Sequence, residues 1–277
     1  MISKIFRAAA WLSLLLGVCL LTLNFVSFIY LPDRHSKTLD TSRTKAGIAL
    51  QPAEKVLAEL AELSDVRDEG DIKRLTKLFS AGVMHYWPGG GNWDREVLTD
   101  FREDWVTAAI ERIELFRLES GQNIRTDYVR RERLDYENIV SKGVGICSQV
   151  ALGVADFVQK NGEEAYVWGL DGHVVAVVGP LSDGKTYIVD GDYGVHLPLT
   201  PEDIENDPSL IASYYLAAGY TPNQIGVLIG IYGPEGNFEY GTELSWKVVA
   251  LRWSVPIAMF LLSISLFWLT RSRKTLF

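Results

Sequence analysis

Apolar residues fill two long aperiodic runs and recur at helical or alternating spacing between them. Residues 8–31, AAAWLSLLLGVCLLTLNFVSFIYL, carry no charge over 24 positions, long enough for a helix crossing roughly 30 Å of hydrocarbon. Residues 248–270, VVALRWSVPIAMFLLSISLFWLT, carry one charge, Arg252, near their start. The long side chain of an arginine there can snorkel to an interface. Trp246, Trp253 and Trp268 suit an aromatic belt at the two ends of this run. The first run outlasts the apolar region of a cleaved signal peptide, about 7–15 residues, and ends in SFIYLPD, so it reads as an uncleaved anchor.

Between the runs the pattern changes in steps. Residues 32–50 form a polar linker, and PAEKVLAELAELS, 52–64, has apolar positions at helical spacing that continue over 70–80. HYWPGGGNWDRE is a loop, because a proline followed by three glycines cannot hold a helix. Residues 98–118 read as a long helix with Phe101, Trp105, Ala108, Ile113 and Phe116 as inner positions, and YVRRERLDYENIV reads as a solvated helix or turn. Val150, Ala151, Val154, Ala155 and Val158 then mark a helix that stops at Asn161-Gly162. Short β-type runs follow, EEAYVWGL, HVVAVVG, KTYIVD and GVHLPL, separated by turn residues. PEDIENDPSLIASYYLAAGY supplies one or two short helices, and IYGPEGNFEYG leads into the second apolar run. Helices first and strands after is α+β order. The expected organisation is a span at 8–31, a linker at 32–50, one domain at 51–232, a linker at 233–247 and a span at 248–270.

Charge orients this arrangement. Lys4 and Arg7 precede the first run, and Arg271, Arg273 and Lys274 follow the second, with no acid in either flank. Both termini therefore read as cytoplasmic, with residues 32–247 on the far side of the membrane. That middle holds all 35 acids and 21 of the 27 basic residues, a net charge of −14. Such a domain is unsuited to nucleic acid or to an anionic membrane surface. Of the two cysteines, Cys19 lies within the first run, so the middle holds a single thiol, Cys147, and no internal disulfide.

Cys147 opens a predicted helix after Gly143 and Gly145, which would let a substrate backbone come close. A helix N-terminus favours negative charge. His173 begins the strand HVVAVV and Asp190 ends the strand YIVD. If the two strands pair as a hairpin, the start of one lies beside the end of the other. A thiol, an imidazole and a carboxylate so placed supply a nucleophile, its base and the group that orients the base. Asp192 is the other acid able to orient His173, but it lies past the strand end. His35 reads as solvated, His85 as a packing or surface residue that could instead line the groove, and His196 as outward-facing between Val195 and Leu197. These histidines lack metal-ligand spacing, and no HExxH or CxxC occurs. Trp87 and Trp93 flank the glycine loop and could form a substrate-facing lip.

The run GVGICSQVALGVADFVQKNGEEAYVWGLDGHVVAVV…YIVDGDYGV, within about 125–200, resembles the transglutaminase-like core of the papain-type fold. The resemblance implies Cys147 as nucleophile, His173 as base and Asp190 as orienting acid. The chain departs from the family in having Gly191 where a proline often follows the acid. The implied protein is a membrane-anchored thiol enzyme that hydrolyses an amide or transfers its acyl group through a thioester, with both outcomes open. No metal or organic cofactor is implied. The implied substrate is a peptide, a protein or an amine-bearing envelope polymer, in the company of envelope or polysaccharide-machinery partners. The backbone N–H of Cys147 is one oxyanion donor on this reading, with Gln149 among the candidates for the second. The alternative is a non-catalytic binding or assembly module that uses the same fold as a groove.

Overall fold

The computed structural model describes residues 2–30, 49–63, 65–85, 98–122, 135–239 and 243–272. The fold is mixed α+β, and its chain groups into two compact units. Residues 1–30, 98–132 and 242–277 make up one, and residues 31–97 with 133–241 the other. Residues 98–132 thus group with the apolar helices, whereas the hydrophobic pattern alone drew one continuous domain over 51–232. His35, Trp87, Trp93 and the glycine loop lie outside the described residues.

In the first unit, α1 (Ile2–Val26) and α10 (Glu243–Ser272) are long and apolar enough to cross a membrane over Lys4–Val26 and Val248–Arg271. They pack antiparallel. Trp11 meets Phe267 edge-on at 5.4 Å, Ser13 Oγ donates to the Met259 carbonyl at 2.8 Å, and Asn24 Nδ2 donates to the Arg252 carbonyl at 2.7 Å. Arg252 is buried rather than snorkelling: its guanidinium pairs with Asp104 at 3.4 Å and donates to Ser27 Oγ. A buried guanidinium requires such partners.

Helix α4 (Trp105–Glu119) starts later than the periodicity suggested. Asp104 Oδ1 accepts from the backbone N–H groups of Val106 and Thr107, at 2.9 and 3.0 Å, and so caps the first turn. Its inner face also differs. Ala108 is buried and Trp105 half-buried, but Phe101, Ile113 and Phe116 are exposed. The buried face instead carries Val106, Thr107, Glu111 and Glu114. Glu111 accepts from the Thr99 backbone N–H and hydroxyl, so carboxylate bonding displaces the apolar stripe from the interior.

The second unit is built around a five-stranded antiparallel sheet. Its strands are β3 (Ala165–Leu170), β4 (His173–Val178), β5 (Tyr187–Asp190), β6 (Val195–Leu197) and β7 (Phe238–Glu239), in the order β6-β5-β4-β3-β7. Strand β4 is central and buried throughout, which is why HVVAVV reads as a continuous apolar run. Alternate residues serve opposite faces. Val174, Ala176, Val178, Tyr187 and Val189 join the core formed with helices α2 (Ala53–Glu62), α3 (Glu69–Gly82), α5 (Tyr136–Lys142) and α6 (Cys147–Lys160). Val175, Val177, Ile188 and Leu197 join a second core with Ile204 of α7 (Pro201–Asn206) and Tyr215 of α8 (Ala212–Ala217). Ile225 and Leu228 of α9 (Pro222–Ile231) complete it.

Helix α6 is buried on nearly every side, from Ser148 to Val158, because it lies inside the first core. Helix α5 is likewise buried over Asn138–Lys142 and not solvated as its charges suggested, although its first turn, capped by Asp135, stays half-exposed. Helix α9, capped by Thr221 and starting with Pro222, escaped the hydrophobic reading because glycines interrupt its stripe. A two-residue parallel bridge, β1 (Met84–His85) with β2 (Val144–Gly145), sits just before α6.

Candidate active site

Two hairpins and one helix start bring the predicted residues together. The Asp171-Gly172 hairpin joins β3 to β4, so that Leu170 faces His173. The longer hairpin from β4 to β5 pairs Ala176 with Val189 and Val177 with Ile188. Continuing that register by one pair sets Val175 against Asp190, so His173 reaches Asp190 diagonally on the same face. His173 Nε2 lies 3.0 Å from Asp190 Oδ2, and both side chains are buried. The Cys147 side chain, half-buried at the first position of α6, brings its sulfur within 4.8 Å of a nitrogen of the same imidazole. Since Nε2 belongs to Asp190, Nδ1 is the nitrogen left for the thiol.

Asp190 is held from three sides. Besides His173, its Oδ2 accepts from the Tyr215 hydroxyl at 2.5 Å, and its Oδ1 accepts from the Tyr193 backbone N–H at 3.2 Å. Tyr215 in turn meets the Tyr232 hydroxyl at 2.9 Å. Burial, with the Asp190 charge beside it, pushes the Tyr215 phenol well above its ordinary value of 10.0, so it stays protonated and remains a donor. The Tyr193 ring stands edge-on to His173 at 5.4 Å. These tyrosines escaped the sequence reading because no short-range spacing links positions 193, 215 and 232 to the thiol.

Burial alone would lower the His173 titration, but the charge of Asp190 and its hydrogen bond raise it well above the ordinary 6.5, helped by Cys147 and Asp192. A raised histidine stabilises the fold fully below its unfolded value and loses that contribution as pH rises through the folded one. Thermal melts from pH 6.5 upward should therefore show a decline in stability that flattens when Asp190 is replaced by Asn. An equally steep decline in that variant would remove Asp190 as the cause.

Gln149, named as a candidate oxyanion donor, also builds the start of α6 through its oxygen. Its Oε1 accepts from the Ile146 N–H at 2.7 Å and closes the first turn of α6. The glycines ahead of the thiol serve the chain as well. Gly143 ends α5 at φ +67°, and a Cβ on Gly145 would stand 2.9 Å from that Gln149 oxygen.

Gly191 is required by close packing. A Cβ there would stand 2.5 Å from Val150 Cγ1, and its carbonyl accepts from Ser80 Oγ. Gly191→Ala should cost about 1–3 kcal/mol, and Val150→Ala in the same chain should recover part of it. Urea unfolding of the single and double variants reads this, and an unshifted Gly191→Ala midpoint would refute the close approach.

His85 and Asp192 also belong to this neighbourhood. His85, on β1, places Nδ1 2.6 Å from Asp192 Oδ2. Parallel pairing of His85 with Gly145 sets it two residues ahead of Cys147. No local pattern links position 85 to 145, so the sequence left His85 as a packing residue. His196 remains a sheet-edge residue, 3.6 Å from Glu69 and lowered by burial. No protein-family model, no curated protein and no solved structure matches this chain.

Proposed function

We propose that the second unit is a transglutaminase-like thiol acyl enzyme in which Cys147 is the nucleophile, His173 the base and Asp190 the orienting acid. The observation that carries the reading is the cluster Cys147–His173–Asp190, with 3.0 Å between His173 Nε2 and Asp190 Oδ2 and the sulfur of half-buried Cys147, at a helix start, within 4.8 Å of the imidazole. In the reaction the thiolate attacks an amide or other acyl carbonyl. His173 carries the thiol proton to the leaving amine, and a thioester remains on Cys147. Water then yields the acid, or an amine takes the acyl group, and His173 removes the proton of either acceptor. The backbone N–H of Cys147 is positioned by α6 to donate to the oxyanion. A peptide, a protein or an amine-bearing envelope polymer is the substrate class.

Two helices of sufficient length and apolarity support a membrane protein. Their antiparallel packing, with basic residues flanking both outer ends, fits cytoplasmic termini and a periplasmic sheet unit. The reading is tested by acid-quenching the full chain, in detergent, with a library of peptide amides and mapping the adducts. A thioester on the Cys147 peptide supports it. Turnover without any adduct in the wild type and undiminished in Cys147→Ala would overturn it.

A further inference from the structure

Asp192 has no part in the thiol–imidazole–carboxylate chain, yet its side chain is 1% exposed. Among the described residues neither carboxylate oxygen accepts an aligned hydrogen bond. Its carboxylate Oδ2 lies 2.6 Å from His85 Nδ1, and its charge also acts on His173. Asp190, two residues earlier, accepts from a histidine, a tyrosine and a backbone amide. Beside the buried carboxylate of Asp190, a second buried carboxylate is a cost, since like charges in a low dielectric repel. Something positive at that point would turn the cost into a gain.

The geometry points to a thiophilic divalent cation of the zinc class, held by Cys147 Sγ, the His173 imidazole and the Asp192 carboxylate. One ligand atom from each of these residues lies within 4.8 Å of the others. Tetrahedral zinc, with bonds of about 2.0–2.3 Å, holds its donors roughly 3.3–3.8 Å apart. The set would therefore close by about 1 Å, within the reach of side-chain rotation. Thiolate, imidazole and carboxylate together suit zinc better than magnesium or calcium, which prefer oxygen alone. The outer shell is also in place. Asp190 holds the far nitrogen of His173, and His85 contacts Asp192, the arrangement that orients metal ligands. The ligands come from a helix start, a strand start and the loop after β5, so no sequence spacing announces them.

Binding forms bonds from the metal to sulfur, nitrogen and oxygen and releases the proton shared by Cys147 and His173 to solvent. The bound cation occupies the sulfur lone pair that would attack an acyl carbonyl, so occupancy switches the thiol off. The switching half rests on the proposed function, but the binding half does not.

The test uses the full chain in detergent, stripped with a chelator and titrated with Co²⁺ as a spectroscopic probe. One equivalent should raise a thiolate-to-cobalt charge-transfer band that Zn²⁺ abolishes by displacement. The band should be missing in Cys147→Ser, and Asp192→Asn should weaken cobalt binding at least tenfold with its melting transition retained. No such band in the wild type, or an undiminished affinity in a folded Asp192→Asn, would overturn the site. If Asp192→Asn does not fold, wild type against Cys147→Ser decides the matter. In parallel, saturating Zn²⁺ should slow iodoacetamide labelling of Cys147 at least tenfold. Acyl capture by the metal-free protein, measured separately, tests the catalytic reading, so either can fail alone.

Discussion

Cys147→Ala is expected to abolish acyl capture and turnover altogether, while the sheet and its melting transition survive. The separation follows from where the sulfur sits. Cys147 is half-buried and only borders the first core, whereas Val150, Ala151 and Val154 of the same helix are buried within it. Truncation to alanine removes one sulfur atom from a half-buried position, and alanine is the best helix former. The folding cost should stay within about 1 kcal/mol, the scale of replacements that leave no closed cavity. The chemical cost has no such limit, because no other residue near His173 can form a thioester. Intact-mass measurement after acid quenching reads the first half, and thermal denaturation reads the second. Residual turnover above the buffer rate in the alanine variant would remove the mechanism.

Asp190→Asn should have the next largest effect, a fall in turnover of roughly 10²–10⁴-fold, the scale of losing the orienting acid of a triad. One carboxylate oxygen, Oδ2, accepts from both His173 and Tyr215, and the other accepts from the Tyr193 amide. An asparagine can present its oxygen to only one side. Facing His173, it keeps the imidazole tautomer but loses the charge and sets its NH2 against the Tyr193 N–H. Facing Tyr193, it sets that NH2 against the histidine and the phenol together. Either way the imidazolium loses the charge that raises its titration. The alkaline limb of the pH–rate profile should accordingly move down toward the ordinary histidine value of 6.5. A variant with reduced turnover but an unmoved alkaline limb would make Asp190 a packing residue. Tyr215→Phe is the matched control, because it removes one donor and leaves the charge.

What the sequence makes legible depends on range. The turn after Leu170 and the alternation of HVVAVV against YIVD are local patterns, and they suffice to place His173 near Asp190. The helix opened by Cys147 is equally local, since Val150, Val154 and Val158 share its period. The diagonal reach from His173 to Asp190 is finer than strand order, because it depends on a register that only the paired backbones define. The place of His85 beside Asp192 was hidden for the same reason, because a two-residue bridge carries it there across 60 positions. Tyr215 and Tyr232 arrive on helices laid over the far face of the sheet, and nothing in YYLAAGY marks which ring points inward. The misread inner face of α4 has a different cause. Periodicity assumes an apolar interior, and there the buried positions include Glu111 and Glu114.

The central claim is that His173 activates the Cys147 sulfur, and the rate of iodoacetamide labelling at neutral pH tests it most directly. The full chain in detergent, with chelator present, would be labelled in parallel with His173→Ala, and the Cys147 peptide quantified by mass spectrometry apart from that of Cys19. The account predicts that the wild type labels at least tenfold faster, because the imidazolium that Asp190 stabilises is the charge that holds the thiolate. Equal rates in the two proteins would contradict it and leave Cys147 as a cysteine that packs beside a histidine without being activated by it.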